Sequence, residues 1–234
     1  MKHILYLVIA ILLISCSNTN SQIIENLDAS KFETLIKMQD GIILDVRTSQ
    51  EFYSGHISEA TNLDYYKDDF KEKLNIMRKD VPIYVYCRSG GRSTKAAVYM
   101  ENLGFSKVYN LNGGIGAWEA KGFLSVSSNI EKKQILPTYT ITEIDSLVKT
   151  NEVVLINFST DWCVPCKKMK QIIKDVKKIK PYLKLILVDA DVNKELAKNY
   201  NINGIPVVII LKNNEEFFRH TGIISKEELL NKLN

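Results

Sequence analysis

Tyr86-Cys87-Arg88-Ser89-Gly90-Gly91-Arg92-Ser93 is the stretch on which the reading of this chain turns. It follows an apolar run at 81–86, read as a buried strand, and opens a helical pattern at 92–102 that Gly104 ends. A loop between a strand and a helix can turn several backbone N–H groups toward one point, and the helix N-terminus adds a positive partial charge. A cysteine at the start of such a loop has its pKa lowered and acts as a thiolate nucleophile. Gly90 and Gly91 permit the tight course, because glycine tolerates positive φ. The arrangement suits chemistry that leaves negative charge in the cradle, either a persulfide or a phosphoenzyme. The plainer alternative is a buried cysteine before a turn.

Outward from this loop the pattern alternates. Ser30-Lys31-Phe32-Glu33 and Thr48-Ser49-Gln50-Glu51 read as capping boxes that open helices, and 41–45 reads as a short buried strand. Strands alternating with helices predict a parallel sheet with helices on both faces. Residues 125–137 lose the pattern and read as a linker. A second alternating unit follows, with helix caps at 140–143 and 225–228 and strands at 153–159, 185–189 and 207–211. The 234 residues suit two α/β domains. The expected boundaries are a leader at 1–15, a tether at 16–27, a first domain at 28–124, the linker at 125–137 and a second domain at 138–234.

The net charge of +4 is small and does not point to nucleic acid. Lys167, Lys168, Lys170, Lys174, Lys177 and Lys178 form a lysine face, read as the solvated side of an amphipathic helix; a docking surface for an acidic partner is the alternative.

The four cysteines stand in distinct settings, with none left over for a structural disulfide. Met1-Lys2-His3 and the apolar run to Ile14 read as a signal peptide, being short of a comfortable bilayer span. Leu13-Ile14-Ser15-Cys16 resembles the lipobox of bacterial lipoproteins. That resemblance implies lipid on Cys16 and an exported protein anchored to a bacterial membrane, facing the periplasm. An ordinary signal peptide with an incidental cysteine is the alternative.

Asp45-Val46-Arg47, Glu51-Phe52, Gly55-His56-Ile57, Ala60 and Asn62, the Cys87–Ser93 loop and Gly113-Gly114-Ile115-Gly116-Ala117-Trp118 together resemble a single-domain rhodanese. The resemblance implies that Cys87 is the sulfur-accepting nucleophile and that Arg88, Ser89, Gly90, Gly91 and Arg92 form the substrate-binding loop. Arg88 would attract an anionic donor such as thiosulfate. Arg92 would brace the fold against an acid, Asp45 or Glu51. The loop from Cys87 to Arg92 has the short form of sulfurtransferases, one residue less than in related phosphatases. In this family the element around His56 is mainly structural.

In the second unit, Trp162-Cys163-Val164-Pro165-Cys166-Lys167 lies at another strand-to-helix junction. The helix N-terminus favours a thiolate on the first cysteine, and the second lies one turn in, within reach of a mixed disulfide. Zinc would need two more ligands, and Cys87, His56 and His220 do not form a second pair. With Gly204-Ile205-Pro206 and Gly222, the pattern resembles thioredoxin. The resemblance implies that Cys163 is the exposed attacking thiol and Cys166 the buried resolving one. It also implies that Trp162, Ile205 and a cis Pro206 line the substrate groove. Asn157 stands where thioredoxins commonly carry an aspartate, and Val164 where they carry glycine. The redox direction therefore does not carry over.

The expected fold class is α/β in two domains, a rhodanese-like parallel sheet followed by a thioredoxin fold, with no cofactor or metal. The expected function is an exported sulfurtransferase that forms a persulfide on Cys87 and passes or reduces it through the Cys163/Cys166 dithiol. Such a protein needs a small sulfur donor, thiol or disulfide protein substrates, and electrons from a membrane reductase or thioredoxin-like donor. Two alternatives are a general thiol-disulfide oxidoreductase for exported proteins and a non-catalytic binding module. Intact Cys87 and Arg92 argue against the last.

Overall fold

Ile83-Tyr84-Val85-Tyr86 is buried at every position, as expected of a central strand in a parallel sheet covered on both faces. The computed structural model describes residues 23–38, 40–127 and 136–234. The first domain runs β1 (Ile24–Leu27), α1 (Ala29–Met38), β2 (Ile42–Asp45), α2 (Ser49–Ser54), β3 (Thr61–Asn62), α3 (Phe70–Asn75), β4 (Ile83–Tyr86), α4 (Gly91–Asn102), β5 (Val108–Leu111), α5 (Gly114–Ala120). Its sheet is parallel in the order β1-β5-β4-β2-β3. Alternation splits the core into two layers. Ile83, Val85 and Cys87 face Leu44, Ala96 and Met100 on one side. Tyr84 and Tyr86 face Phe32, Phe52 and Trp118 on the other.

Three expectations need correcting here. The tether was expected to reach residue 27, but 24–27 form β1, which pairs with β5 at the sheet edge. Ile24 and Leu27 carry the apolar contacts that a solvated tether lacks. The first helix is capped by Asp28, not Ser30: Asp28 Oδ1 accepts from the N–H groups of Ser30 (2.9 Å) and Lys31 (3.0 Å). The boxes at Thr48 and Thr140 form as expected. The start of the expected linker is also tied down, since Val126 and His56 exchange backbone hydrogen bonds of 2.8 and 2.9 Å.

The second domain runs α6 (Ile141–Lys149), β6 (Val153–Ser159), α7 (Val164–Ile179), β7 (Lys184–Asp189), α8 (Lys194–Asn199), β8 (Val207–Lys212), β9 (Glu215–Thr221) and α9 (Lys226–Leu233). Its sheet order is β7-β6-β8-β9, with β6 parallel to β7 and antiparallel to β8. Met169, Ile173 and Val176 of α7 pack with Leu229 and Leu233 of α9 on one face. Ile144 and Val148 of α6 cover the other with Leu196 of α8. This is the two-domain α/β architecture expected from the sequence.

The two domains touch. Val164 N–H donates to Thr61 Oγ1 (3.1 Å), Met77 forms an isolated parallel bridge with Ile205, and Lys194 pairs with Glu72 (2.6 Å). Lys168 pairs with Glu59, so one member of the lysine face meets an acid of the other domain.

Candidate functional site

Cys87 follows the carboxyl end of β4, and α4 begins four residues later at Gly91. The chain between them wraps the sulfur. Gly90 N–H donates to Cys87 Sγ at 3.1 Å, and the Ser93 hydroxyl lies 3.5 Å away. Burial pushes the Cys87 thiol up. The Ser93 hydroxyl and the N–H groups of Ser93, Ser89 and Gly90 outweigh it and hold the thiol below its ordinary value. Four donors aimed at one sulfur form the anion cradle read from the sequence.

Gly90 has φ 103°, so the turn needs a glycine there. Gly91 does not: it is the first helical residue, outside the positive-φ region, with open space around its Cα hydrogens. Arg88 and Ser89 are exposed at the mouth. Arg92 pairs twice with Glu51, at 2.7 Å each, and its guanidinium stands 5.5 Å from the Tyr66 ring centre. Of its two expected partners, Glu51 is the one used. Asp45 is taken by Arg47 in a buried pair at 2.7 Å, and Arg47 also donates to Gly55 O. His56 is buried, stacks on Phe52 and contacts Phe52 O through Nδ1 at 2.9 Å; it is a packing residue.

The back wall of the cradle comes from the turn into α5. Ile115 N–H donates to Cys87 O (2.8 Å) and Gly116 N–H to Arg88 O (3.1 Å). Gly114 and Gly116 belong to the motif, but only the fold shows that they press on the cysteine loop, Gly114 against Cys87 O and Gly116 against Arg88 O. Ser93 has no role that its motif assigns, yet its hydroxyl is part of the cradle.

Glu51 supplies a pH test. Hydrogen bonds from Arg92, opposed by burial and joined by the Thr48 N–H and hydroxyl, hold its carboxyl down at about 2 against an ordinary 4.5. A depressed folded pKa gives stability that is present above the unfolded value and lost as pH falls through the folded one. The urea midpoint is therefore expected to fall from about pH 5 towards pH 2 more steeply in wild type than in Glu51→Gln. Parallel curves would show that this pair does not brace the cradle.

In the second domain, Cys163 caps α7 and is joined to Cys166 by a disulfide, S–S 2.17 Å. Cys166 N–H points at Cys163 Sγ, 3.2 Å away. The Ile205–Pro206 bond is cis, and Trp162 Nε1 donates to Asp191 Oδ2 at 2.8 Å. Asp191 had no role in the sequence reading; burial raises its pKa and the Trp162 bond opposes that rise. Asn157 is buried and donates through Nδ2 to Val207 O at 3.1 Å.

One expectation fails. Cys163 was expected to be exposed and is only 4% so. Ile76 of the first domain packs on the cluster that contains Cys163 and Ile205, Thr61 takes the N–H of Val164, and Met77 bridges Ile205. Nor does the structure bring Cys87 and Cys163 together. Thr61 lies in β3, separated from β4 by β2, roughly 10 Å for two strand spacings. Met77 precedes β4 at its amino end, whereas Cys87 follows its carboxyl end. Cys16 and the leader lie outside the described residues, as does 128–135 of the linker.

Comparison with known proteins assigns each half. A rhodanese-like domain model matches residues 28–121 and a thioredoxin model matches 136–234. The thiosulfate sulfurtransferase GlpE of Pseudomonas putida is 38% identical over 87 residues, 37% of this chain and 76% of the relative. The thioredoxin of Mycoplasmoides gallisepticum is 34% identical over 87 residues, 37% of this chain and 87% of the relative. A tRNA uridine(34) hydroxylase of Pelagibacter ubique is 31% identical over 144 residues, 61% of this chain, but the chain spans only 45% of that protein. With a sulfur-type cradle in one half and a cysteine pair beside a cis proline in the other, the chain belongs to the rhodanese-like family over 28–121 and to the thioredoxin family over 136–234.

Proposed function

We propose that this protein is an exported, lipid-anchored sulfurtransferase that loads sulfur on Cys87 and reduces it through its own dithiol. The observation that carries this reading is the Cys87 cradle, with the Gly90 N–H and the Ser93 hydroxyl reaching the sulfur, on the same chain as a disulfide-bonded cysteine pair. Export and the lipid on Cys16 rest on the leader sequence alone.

The chemistry balances as follows. The Cys87 thiolate attacks the outer sulfur of a donor such as thiosulfate; the donor S–S bond breaks and sulfite leaves with the electron pair. The persulfide anion stays in the cradle, with exposed Arg88 at the mouth to draw in the anionic donor. The Cys163 thiolate then attacks the outer sulfur, and Cys87 departs as thiolate. Cys166 attacks Cys163 Sγ, hydrosulfide leaves, and the Cys163–Cys166 disulfide forms. Two electrons have passed from the dithiol to sulfur. An external dithiol or membrane reductase must return them. Tethering keeps the partners at roughly millimolar effective concentration. Because the docked arrangement separates the sulfurs, the second domain must leave its present seat for each transfer.

A second reading has one observation of its own: the groove beside Pro206 holds a chain segment, Met77 against Ile205. A groove that accepts polypeptide suits a reductant or oxidant of exported proteins.

The test uses the chain lacking residues 1–16, fully reduced and given one equivalent of thiosulfate. Wild type is expected to release one sulfite and one sulfide per protein. Cys163→Ser is expected to keep the sulfite and lose sulfide by roughly ten-fold or more. Sulfite without sulfide from wild type would sink the coupling and leave the second reading in its place.

A further inference from the structure

Where a thioredoxin-type groove would receive a partner, this chain has placed its own residues 76–78. Met77 is bridged in parallel to Ile205, directly before the cis Pro206. Arg78 runs across Gly204 and Gly222. A Cβ at Gly204 would lie 3.2 Å from Arg78 Cγ, and one at Gly222 would collide with the guanidinium. Ile76 fills the apolar surface formed with Cys163, Ile205 and Val207. Trp162 packs on both cores. Val164 N–H, at the start of α7, is taken by the Thr61 hydroxyl.

These contacts are of the kind by which a groove recognises an extended peptide: backbone pairing for affinity, with pockets for neighbouring side chains. The flanking ion pairs, Lys168 with Glu59 and Lys194 with Glu72, are more than half exposed and add little. Apolar and backbone contacts carry the seat.

We infer that the rhodanese-like domain is a tethered occupant of the thioredoxin groove, and that it closes the disulfide form to protein dithiols until residues 76–78 withdraw. This does not rest on sulfur transfer between the domains; it needs only that the disulfide is reducible. Reduction by a protein dithiol begins when a donor thiolate attacks Cys163 Sγ, breaking the Cys163–Cys166 bond and releasing Cys166 as thiolate. The donor's second thiol then frees Cys163, leaving the donor oxidised by two electrons. The first attack must come along the surface that residues 76–78 and Thr61 now cover. Only a partner that outcompetes a tethered segment, at roughly millimolar effective concentration, gains entry. The closed groove thus selects a dedicated donor and shuts out casual thiols.

The experiment compares rates of disulfide reduction in the two-domain chain, with reduced thioredoxin as the protein probe and dithiothreitol as the small one. Ile76→Asp would bury a carboxylate in the seat, so it forces undocking without touching the core of its own domain. Reduction by the protein probe is expected to rise roughly ten-fold or more, and by dithiothreitol by a smaller factor. Ile76→Leu should behave as wild type. Equal rates for wild type and Ile76→Asp with the protein probe would overturn the proposal. So would an equal rise for both reductants, which would mean general loosening. If Ile76→Asp loses its cooperative urea transition, Ile76→Ala, which removes the same apolar contact without burying a charge, decides on the same ratio of rates. Sulfide release is read nowhere in this test, so its outcome is separate from that of the coupled mechanism.

Discussion

Cys87→Ser is expected to lower sulfite release from thiosulfate by on the order of 10³-fold or more, while the Cys163–Cys166 disulfide is still reduced and reformed. The cradle explains the size of the loss. Its donors, the Gly90 N–H at 3.1 Å, the Ser93 hydroxyl at 3.5 Å and the N–H groups of Ser89 and Ser93, favour the thiolate and hold the thiol below its ordinary value. A serine hydroxyl titrates far above that range. The same donors would then surround a neutral oxygen and supply no nucleophile, and His56 is no base for it, being stacked on Phe52 and bound to Phe52 O. Single-turnover sulfite release at equal protein concentrations measures the effect. A Cys87→Ser protein that kept more than a tenth of the wild-type rate would place the sulfur-accepting thiol in the second domain.

Gly114→Ala is expected to destabilise the first domain by about 2–4 kcal/mol and to abolish loading of Cys87. Gly114 has φ 61°, which an alanine adopts only under strain. Its Cα also presses on the cysteine loop. An added Cβ would overlap Cys87 O and stand 2.6 Å from Arg88 C and O, all backbone atoms that no rotamer change can move aside. The loop would have to shift, and the hydrogen bonds from Ile115 and Gly116 that fix Cys87 O and Arg88 O would break with it. The urea midpoint and the sulfite burst are the paired readouts. Gly91→Ala is the control: its Cα faces open space, and alanine favours a helix N-terminal turn over glycine. If the two variants loaded sulfur equally, the back wall would have no part in shaping the cradle.

Both sites lie in motifs, and the reason is local. A strand ending in Cys87, a glycine at 90 and a helix from 91 form an anion cradle by backbone geometry alone, so the stretch can be read without its surroundings. The same holds for Cys163 as cap of α7 and Cys166 one turn in. The choice of Glu51 over Asp45 for Arg92 could not be read, because both acids were available and the decision belongs to Arg47, which fills Asp45 first. Nor could β1 be read as a strand. It is four residues long at a sheet edge, and its apolar side chains find their use only against a strand 84 residues further on.

What the amino-acid order settled by itself was therefore two α/β units in their order and cysteines at two strand-to-helix junctions, because each depends on neighbours within a few residues and on hydrophobic periodicity. The two families entered through the resemblance of their motifs. What only the tertiary structure decided was how the halves meet. Ile76, Met77 and Thr61 have no motif, yet from the other domain Ile76 packs on the cluster that holds the buried Cys163, Met77 bridges Ile205 and Thr61 bonds Val164. Docking of one domain on another depends on shape and on which backbone groups are left unpaired at an edge. Those properties exist only once both sheets have formed.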